Sequence, residues 1–271
     1  MTIRVGIFGA GRFAAAIAEE IRNMNGPVAG ILGEPQFSVA WMLHRGDRIP
    51  DRDVDVAIDA SVGAAVEEHL EWALATGTPL VIGATGWDIP DIEARVGKRT
   101  GVLISPNFSF AVALMQRFAA ELAAFADWFG EGELSLFEHH HSAKKDAPSG
   151  TAKALASAIV SASRKYRGWS LSGYQPDSLS IACLRAGSEV GTHRIVFDAP
   201  HEQMLIEHRA RDRGLFAHGA LKAARWILRR RGVFHMNDMV DEFLAGTRTR
   251  EARHERRAVR AGCSDRDTVR Q

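Results

Sequence analysis

Residues 3–14 read IRVGIFGAGRFA. Ile3 to Phe8 is a short apolar run that ends in glycine, and residues 12–24 (RFAAAIAEEIRNM) then repeat apolar side chains at helical spacing. A strand therefore turns through G-x-G-x-x-A directly into a helix. Each small residue has a use there. Gly9 permits the tight turn, Gly11 lets a pyrophosphate approach the backbone, and Ala14 lets the helix pack close to the sheet. The helix N-terminus adds free N–H groups and a partial positive charge. The glycine spacing alone would say little, but between a strand and a helix it points to a dinucleotide held by Gly9, Ala10, Gly11, Arg12 and Phe13.

Working outward, four more apolar runs follow: Phe37 to Leu43 (FSVAWML), Val54 to Ala60 (VDVAIDA), Pro79 to Gly83 (PLVIG) and Gly101 to Ser105 (GVLIS). Between the third and fourth strands, Ala64 to Ala75 reads as a helix with Leu70 and Trp72 inward. Strands alternating with single helices imply parallel pairing, and continuous apolarity implies that both sheet faces are covered. After Asn107 the pattern changes. A long helix, Phe110 to Phe129, precedes a strand, Leu134 to Phe137, and a second helix, Gly150 to Tyr166. Ser180 to Leu184, His193 to Phe197 and Gln203 to His208 are strand-like at hairpin spacing, and Leu215 to Arg230 is a helix. The expectation is an α/β chain of two domains. A Rossmann-like parallel-sheet domain takes residues 1–109 and 214–246, and an α+β domain with a mixed or antiparallel sheet takes 110–213. The remainder, 247–271, is expected to be a disordered tail.

Composition narrows the function classes. With 46% hydrophobic and 25% charged residues, the chain is of ordinary globular type. A net charge of +1 gives no global field to attract nucleic acid or an anionic membrane, so neither partner is expected. The charge is uneven, since the tail carries eight arginines against four acids. Cys183 and Cys263 form no CxxC pair, which argues against a thiolate zinc site or a disulfide scaffold. No apolar run reaches the roughly 20 residues of a membrane span. The opening MTIRVGIFGAG lacks the pattern of a signal peptide, so a cytoplasmic location is expected.

The end of the second strand selects between dinucleotides. It reads Leu43-His44-Arg45, with no acid until Asp47. A carboxylate there would bond the ribose of NADH and repel a 2′-phosphate, whereas Arg45 could bind one. The reading leans to NADPH over NADH, against the alternative that Arg45 is simply solvated. Gly83-Ala84-Thr85 and Ser105-Pro106-Asn107-Phe108 follow the fourth and fifth strands, where such sheets bind ligands.

Residues 138–152 read EHHHSAKKDAPSGTA. Three adjacent histidines along a strand point in differing directions, and H-E-x-x-H is absent, so no metal is expected. A dianionic small molecule suits the stretch better. Lys144 and protonated histidines offer charge-assisted donors. Pro148 to Thr151 then opens a helix whose free N–H groups can hold a carboxylate, with Ser149 or Thr151 as cap. Histidine also titrates near neutrality and can give a proton.

E-x-H-H-x-x-x-K-x-D-A-P-S-G-T-A resembles the signature of the 4-hydroxy-tetrahydrodipicolinate reductase (dihydrodipicolinate reductase) family. Similar family stretches are V-G-I-F-G-A-G-R, I-G-A-T-G-W-D, P-N-F-S, R-A-G-x-x-V-G-x-H-x-x-x-F from Arg185 and E-x-x-x-I-E-H-R-A-x-x-R-x-x-F-A-x-G-A from Glu202. The resemblance runs to about Leu244. It implies NAD(P)H-dependent reduction of a cyclic imine dicarboxylate in lysine and diaminopimelate synthesis. His140 would be the proton donor, Lys144 a proton donor that also binds substrate, and His141, Gly150 and Thr151 carboxylate ligands. His139 falls where the family often has a small or apolar residue. Gly9 to Phe13, Gly83 to Thr85 and Ser105 to Phe108 would line the cofactor. A homotetramer built through the second domain's sheet is also implied. Two alternatives stay open: a diverged reductase or dehydrogenase of another imino or amino dicarboxylate, and a non-catalytic NADP(H)-binding sensor. A sensor would have no need of His140 and Lys144.

Overall fold

The apolar runs of the first half assemble into one sheet in a computed structural model that describes residues 2–25, 36–51 and 53–247. Its strands are β1 (Thr2–Phe8), β2 (Gln36–Leu43), β3 (Val56–Asp59), β4 (Leu80–Ile82), β5 (Gly101–Ile104) and, returning from far along the chain, β11 (Gly232–His235). All pair in parallel in the order β2-β1-β3-β4-β5-β11. Every residue of β3 and β4 is buried, as a sheet covered on both faces requires. Helix α1 (Arg12–Met24) and α6 (Gly214–Ile227) pack one face through Ile17, Ile21, Ala220 and Ile227. The other face receives α2 (Val66–Thr76) and the short α3 (Ile92–Val96). A final helix, α7, spans 236–247.

The second sheet contains β6 (Glu133–His140), β7 (Gly168–Ser170), β8 (Ser178–Arg185), β9 (Thr192–Ala199) and β10 (Glu202–Arg209), ordered β10-β9-β6-β8-β7. Two helices, α4 (Phe110–Phe129) and α5 (Gly150–Ala162), cover one face. The sheet is mixed. β9 and β10 form an antiparallel hairpin, but β8 lies on the far side of β6 and runs parallel to it. The three strands read at hairpin spacing are therefore not one meander: β6 separates β8 from β9. The helix read to Tyr166 stops at Ala162. There the chain extends at Ser163 and plants the Tyr166 hydroxyl against the Leu134 N–H at 2.7 Å. The helix read to Arg230 stops at Ile227, before the chain turns into β11.

Helix α4 belongs to both halves. Phe110 and Ala113 pack into the first core, while Met115, Ala119, Leu122 and Ala123 sit in the second. Its N-cap, Ser109, accepts the Val112 N–H at 3.2 Å. The expected disordered tail lies outside the described residues, apart from Thr247. Among the described residues, no helix is long and apolar enough to cross a membrane.

Candidate active site

Side chains alternate along β6, and this sorts the three histidines. Leu134, Leu136, Glu138 and His140 are buried on one side, while Phe137 and His139 lie on the other. His139 Nε2 is 3.0 Å from the Ala186 carbonyl. His141 follows the strand. Its N–H donates to the Glu189 carbonyl at 2.7 Å, and its own carbonyl accepts the Lys144 N–H at 3.1 Å. That turn brings Lys144 back toward His140, with Lys144 Nζ 2.7 Å from Asp146 Oδ1.

Sheet register supplies the rest of the cluster. Glu138 stands opposite His193 of β9 and Cys183 of β8, and His140 stands opposite Arg185. Glu138 is wholly buried. Its Oε1 accepts Arg185 Nη2 at 2.5 Å, and its two oxygens share the Ser149 N–H at 3.0 and 3.2 Å. His193 Nε2 and His140 Nδ1 lie 3.5 and 3.6 Å from Oε2. Burial alone would raise this carboxyl's pKa. The donors from His193, Ser149, Arg185 and Cys183 outweigh burial and hold it well below the usual carboxylate range. His140 goes the other way for its class. Burial first, then His193, Lys144 and Arg185, push it down to about 4, with Glu138 opposing them. Glu138, His140 and His193 could present three ligand atoms within 4.8 Å of one another. However, the carboxylate already carries the Arg185 cation, whose charge opposes a divalent ion.

The same carboxylate anchors the next helix. Ser149 caps α5 by accepting the Ala152 N–H at 3.1 Å, and its Oγ lies 3.1 Å from His193 Nε2. Gly150 and Thr151 are the first residues of α5, so their N–H groups have no intrahelical acceptor. They open onto a cleft of about 910 Å³ between the two sheets. His140, His141 and Lys144 line it on the same side. Gly11, Arg12 and Phe13 line it from the first sheet's side, with Ser105, Pro106 and Asn107.

The remaining expected site residues lie outside that lining. Gly9, with φ of +103°, makes the turn itself, and a Cβ there would meet the Ala60 carbonyl at 2.7 Å. Ala10 precedes Gly11 in the same turn and is half-buried. Gly83 abuts the Phe13 and Phe108 rings, which stack at 5.8 Å. Phe108 is a core residue, buried beneath α6. Ala84 is buried and accepts the Trp87 indole N–H at 2.7 Å, and Thr85 is exposed beyond it. Arg45 is exposed in the turn after β2, where Asp47 Oδ2 accepts the His44 N–H. Glu138, Arg185 and His193 are a cluster that the sequence reading did not assemble. Arg213 and Asn237, which also line the cleft, were likewise missed.

Residues 3–108 match the family described as dihydrodipicolinate reductase, N-terminus, and residues 111–240 match dihydrodipicolinate reductase, C-terminus. A 4-hydroxy-tetrahydrodipicolinate reductase of Magnetococcus marinus is 34% identical over 267 residues, covering 89% of this chain and 99% of that protein. One from Haloarcula marismortui is 35% identical over 196 residues, covering 70% and 77%. Among solved structures, dipicolinate-bound dihydrodipicolinate reductase from Paenisporosarcina sp. TG-14 superposes with a TM-score of 0.70 at 20% identity. That match covers 87% of this chain and 98% of the other, and it shows a shared fold.

Proposed function

The chain belongs to the dihydrodipicolinate reductase family, and on that premise we propose that it reduces 4-hydroxy-tetrahydrodipicolinate to tetrahydrodipicolinate with NAD(P)H. One observation carries the reading: the glycine turn at the head of α1 and the open N-terminus of α5 face one cleft, which His140 and Lys144 also line. The first sheet's residues suit a dinucleotide. A Cβ built on Gly11 would meet nothing within 4 Å, so the backbone is open to a pyrophosphate, and the first turn of α1 carries no acid.

When bound, the reduced nicotinamide supplies a hydride to the substrate ring. The protein's own groups do the rest. Gly150 and Thr151 hold one carboxylate through backbone N–H groups and a hydroxyl, and His141 holds the other. The 4-hydroxyl leaves as water together with a hydrogen from the adjacent ring carbon, and His140 and Lys144 give the proton that quenches the charge developing on the ring as the hydride adds. A dianion beside His140 favours the imidazolium, which offsets the depression that burial and the neighbouring cations impose on its pKa. A positioned acid of this kind contributes roughly 10²–10⁴-fold.

Arg45, exposed after β2 with no acid before Asp47, suits a 2′-phosphate and supports NADPH. Residues 1–109 with 214–246 serve the cofactor, and 110–213 serve substrate and assembly. The open face of the second sheet, where Arg194 lies over the Phe137 ring at 5.8 Å and pairs with Glu207, suits contact between subunits of a homotetramer. The enzyme works in the cytoplasm, beside its reduced cofactor.

The test is NADPH oxidation with freshly prepared 4-hydroxy-tetrahydrodipicolinate as substrate. Turnover is expected, with His140→Ala and Lys144→Ala losing at least about 10²-fold in kcat while NADPH binding is kept. Loss of NADPH binding in step with rate would refute these roles. Arg45→Asp should shift preference toward NADH in fluorescence titrations; an unchanged ratio removes Arg45 from the site.

A further inference from the structure

Asn107 follows β5 in the cofactor-side loop, yet its side chain reaches across the cleft. Its Nδ2 donates to Thr151 Oγ1 at 3.0 Å, and its Oδ1 accepts the Ser109 N–H at 2.9 Å. Chemistry fixes which end is which. A backbone N–H can only donate, so the atom facing Ser109 is the oxygen, and the NH₂ must face Thr151. The main chain is held as firmly: Ser105 Oγ donates to the Asn107 carbonyl at 2.6 Å and accepts its N–H at 3.2 Å. Thr151 Oγ1 is thus already an acceptor, and its single proton is left to donate elsewhere. It sits at the mouth of α5, beside two N–H groups without intrahelical acceptors.

We infer that Asn107 is a positioning residue for a substrate carboxylate: it holds Thr151 so that the hydroxyl proton points into the cleft as a third donor beside the Gly150 and Thr151 N–H groups. This rests on the reductase reading above, and it moves the role of Asn107 from the dinucleotide to the dicarboxylate. An aspartate at 107 would reverse the arrangement. It would accept the Thr151 proton itself and bring a negative charge toward the carboxylate.

The experiment measures steady-state kinetics together with calorimetric binding of dipicolinate to the NADPH-loaded protein. Asn107→Ala should raise KM for the imine substrate, and weaken dipicolinate, by roughly 10- to 100-fold, the weight of one hydrogen bond to a charged group. The Kd for NADPH should stay within about twofold. Asn107→Asp should lose more than Asn107→Ala. Thr151→Ser, which keeps the hydroxyl, should keep most of the affinity and remain sensitive to Asn107→Ala. In a Thr151→Val background, Asn107→Ala should add almost nothing. Asn107→Ser provides the same comparison should the alanine variant fail to fold. Multiplicative losses in the double variant, or equal weakening of NADPH and dipicolinate, would overturn the inference. A wild-type protein that neither binds dipicolinate nor oxidises NADPH would instead sink the reductase reading, before any substitution is made.

Discussion

At the scale of residues, the buried charge of Glu138 decides most. Neutralising it in Glu138→Gln leaves the Arg185 guanidinium without its carboxylate partner, and breaking a buried pair costs about 3–5 kcal/mol. A lower Tm should follow. A purely structural role would stop there. Glu138 is also the neighbour that favours a charged His140, so the alkaline limb of the kcat profile should move to lower pH in this variant. An unmoved limb would confine Glu138 to structure. The pKa shifts also set the wild type's stability on the acid side. His140 is depressed to about 4 from an ordinary 6.5, so the unfolded chain takes up that proton first as pH falls through this window. Glu138, held low, adds a loss of the same sign below the ordinary carboxylate range. Chemical denaturation should show ΔG falling as pH drops from about 6.5 to 4, and His140→Gln should flatten that slope; a slope unchanged by the substitution would contradict the assignment. The chemistry of EHHHSAKKDAPSGTA was legible in sequence because its groups are contiguous. The partners of Glu138 were not, because His193 and Arg185 reach it through strand register 55 and 47 positions away.

At the scale of elements, α6 approaches the cofactor-side loop closely enough to fix it. A Cβ on Gly219 would lie 1.8 Å from the Phe108 carbonyl oxygen, so helix and loop meet backbone to backbone. Gly219→Ala should cost about 1–3 kcal/mol through overpacking, and more if the loop cannot give way. Thermal unfolding measures this, together with KM, since the same loop carries Asn107; a neutral substitution would show that the loop yields freely. The elements easiest to read were those buried on both faces. β4 and β5 announce themselves as unbroken apolar runs, and β1 as one interrupted only by Arg4 after its exposed first residue. β7 (GWS) and β11 (GVFH) did not, because neither is fully buried or continuously apolar and each is defined by its pairing with β8 or β5. Helix α7 was legible in principle, since Met236, Met239 and Val240 recur at helical spacing and are buried, although its apolar face is short and runs straight into an arginine-rich stretch.

At the scale of the molecule, the two sheets are bound into one unit by α4, whose first turns pack into one core and whose later turns pack into the other. Neither core can melt without freeing part of that helix from both. Calorimetry should therefore show a single unfolding transition in which the parallel sheet does not melt separately; two resolved peaks would mean that the shared helix does not couple them. Its 20 residues span about 30 Å. Helix α4 is thus also a ruler with an angular phase. One alanine added at its midpoint would turn every later side chain by roughly 100° and swing the N-terminus of α5 out of line with Gly11 and Phe13 across the cleft. Four added residues would come back to within about 40° of the original facing and restore much of that alignment, at the cost of one helical turn of extra reach.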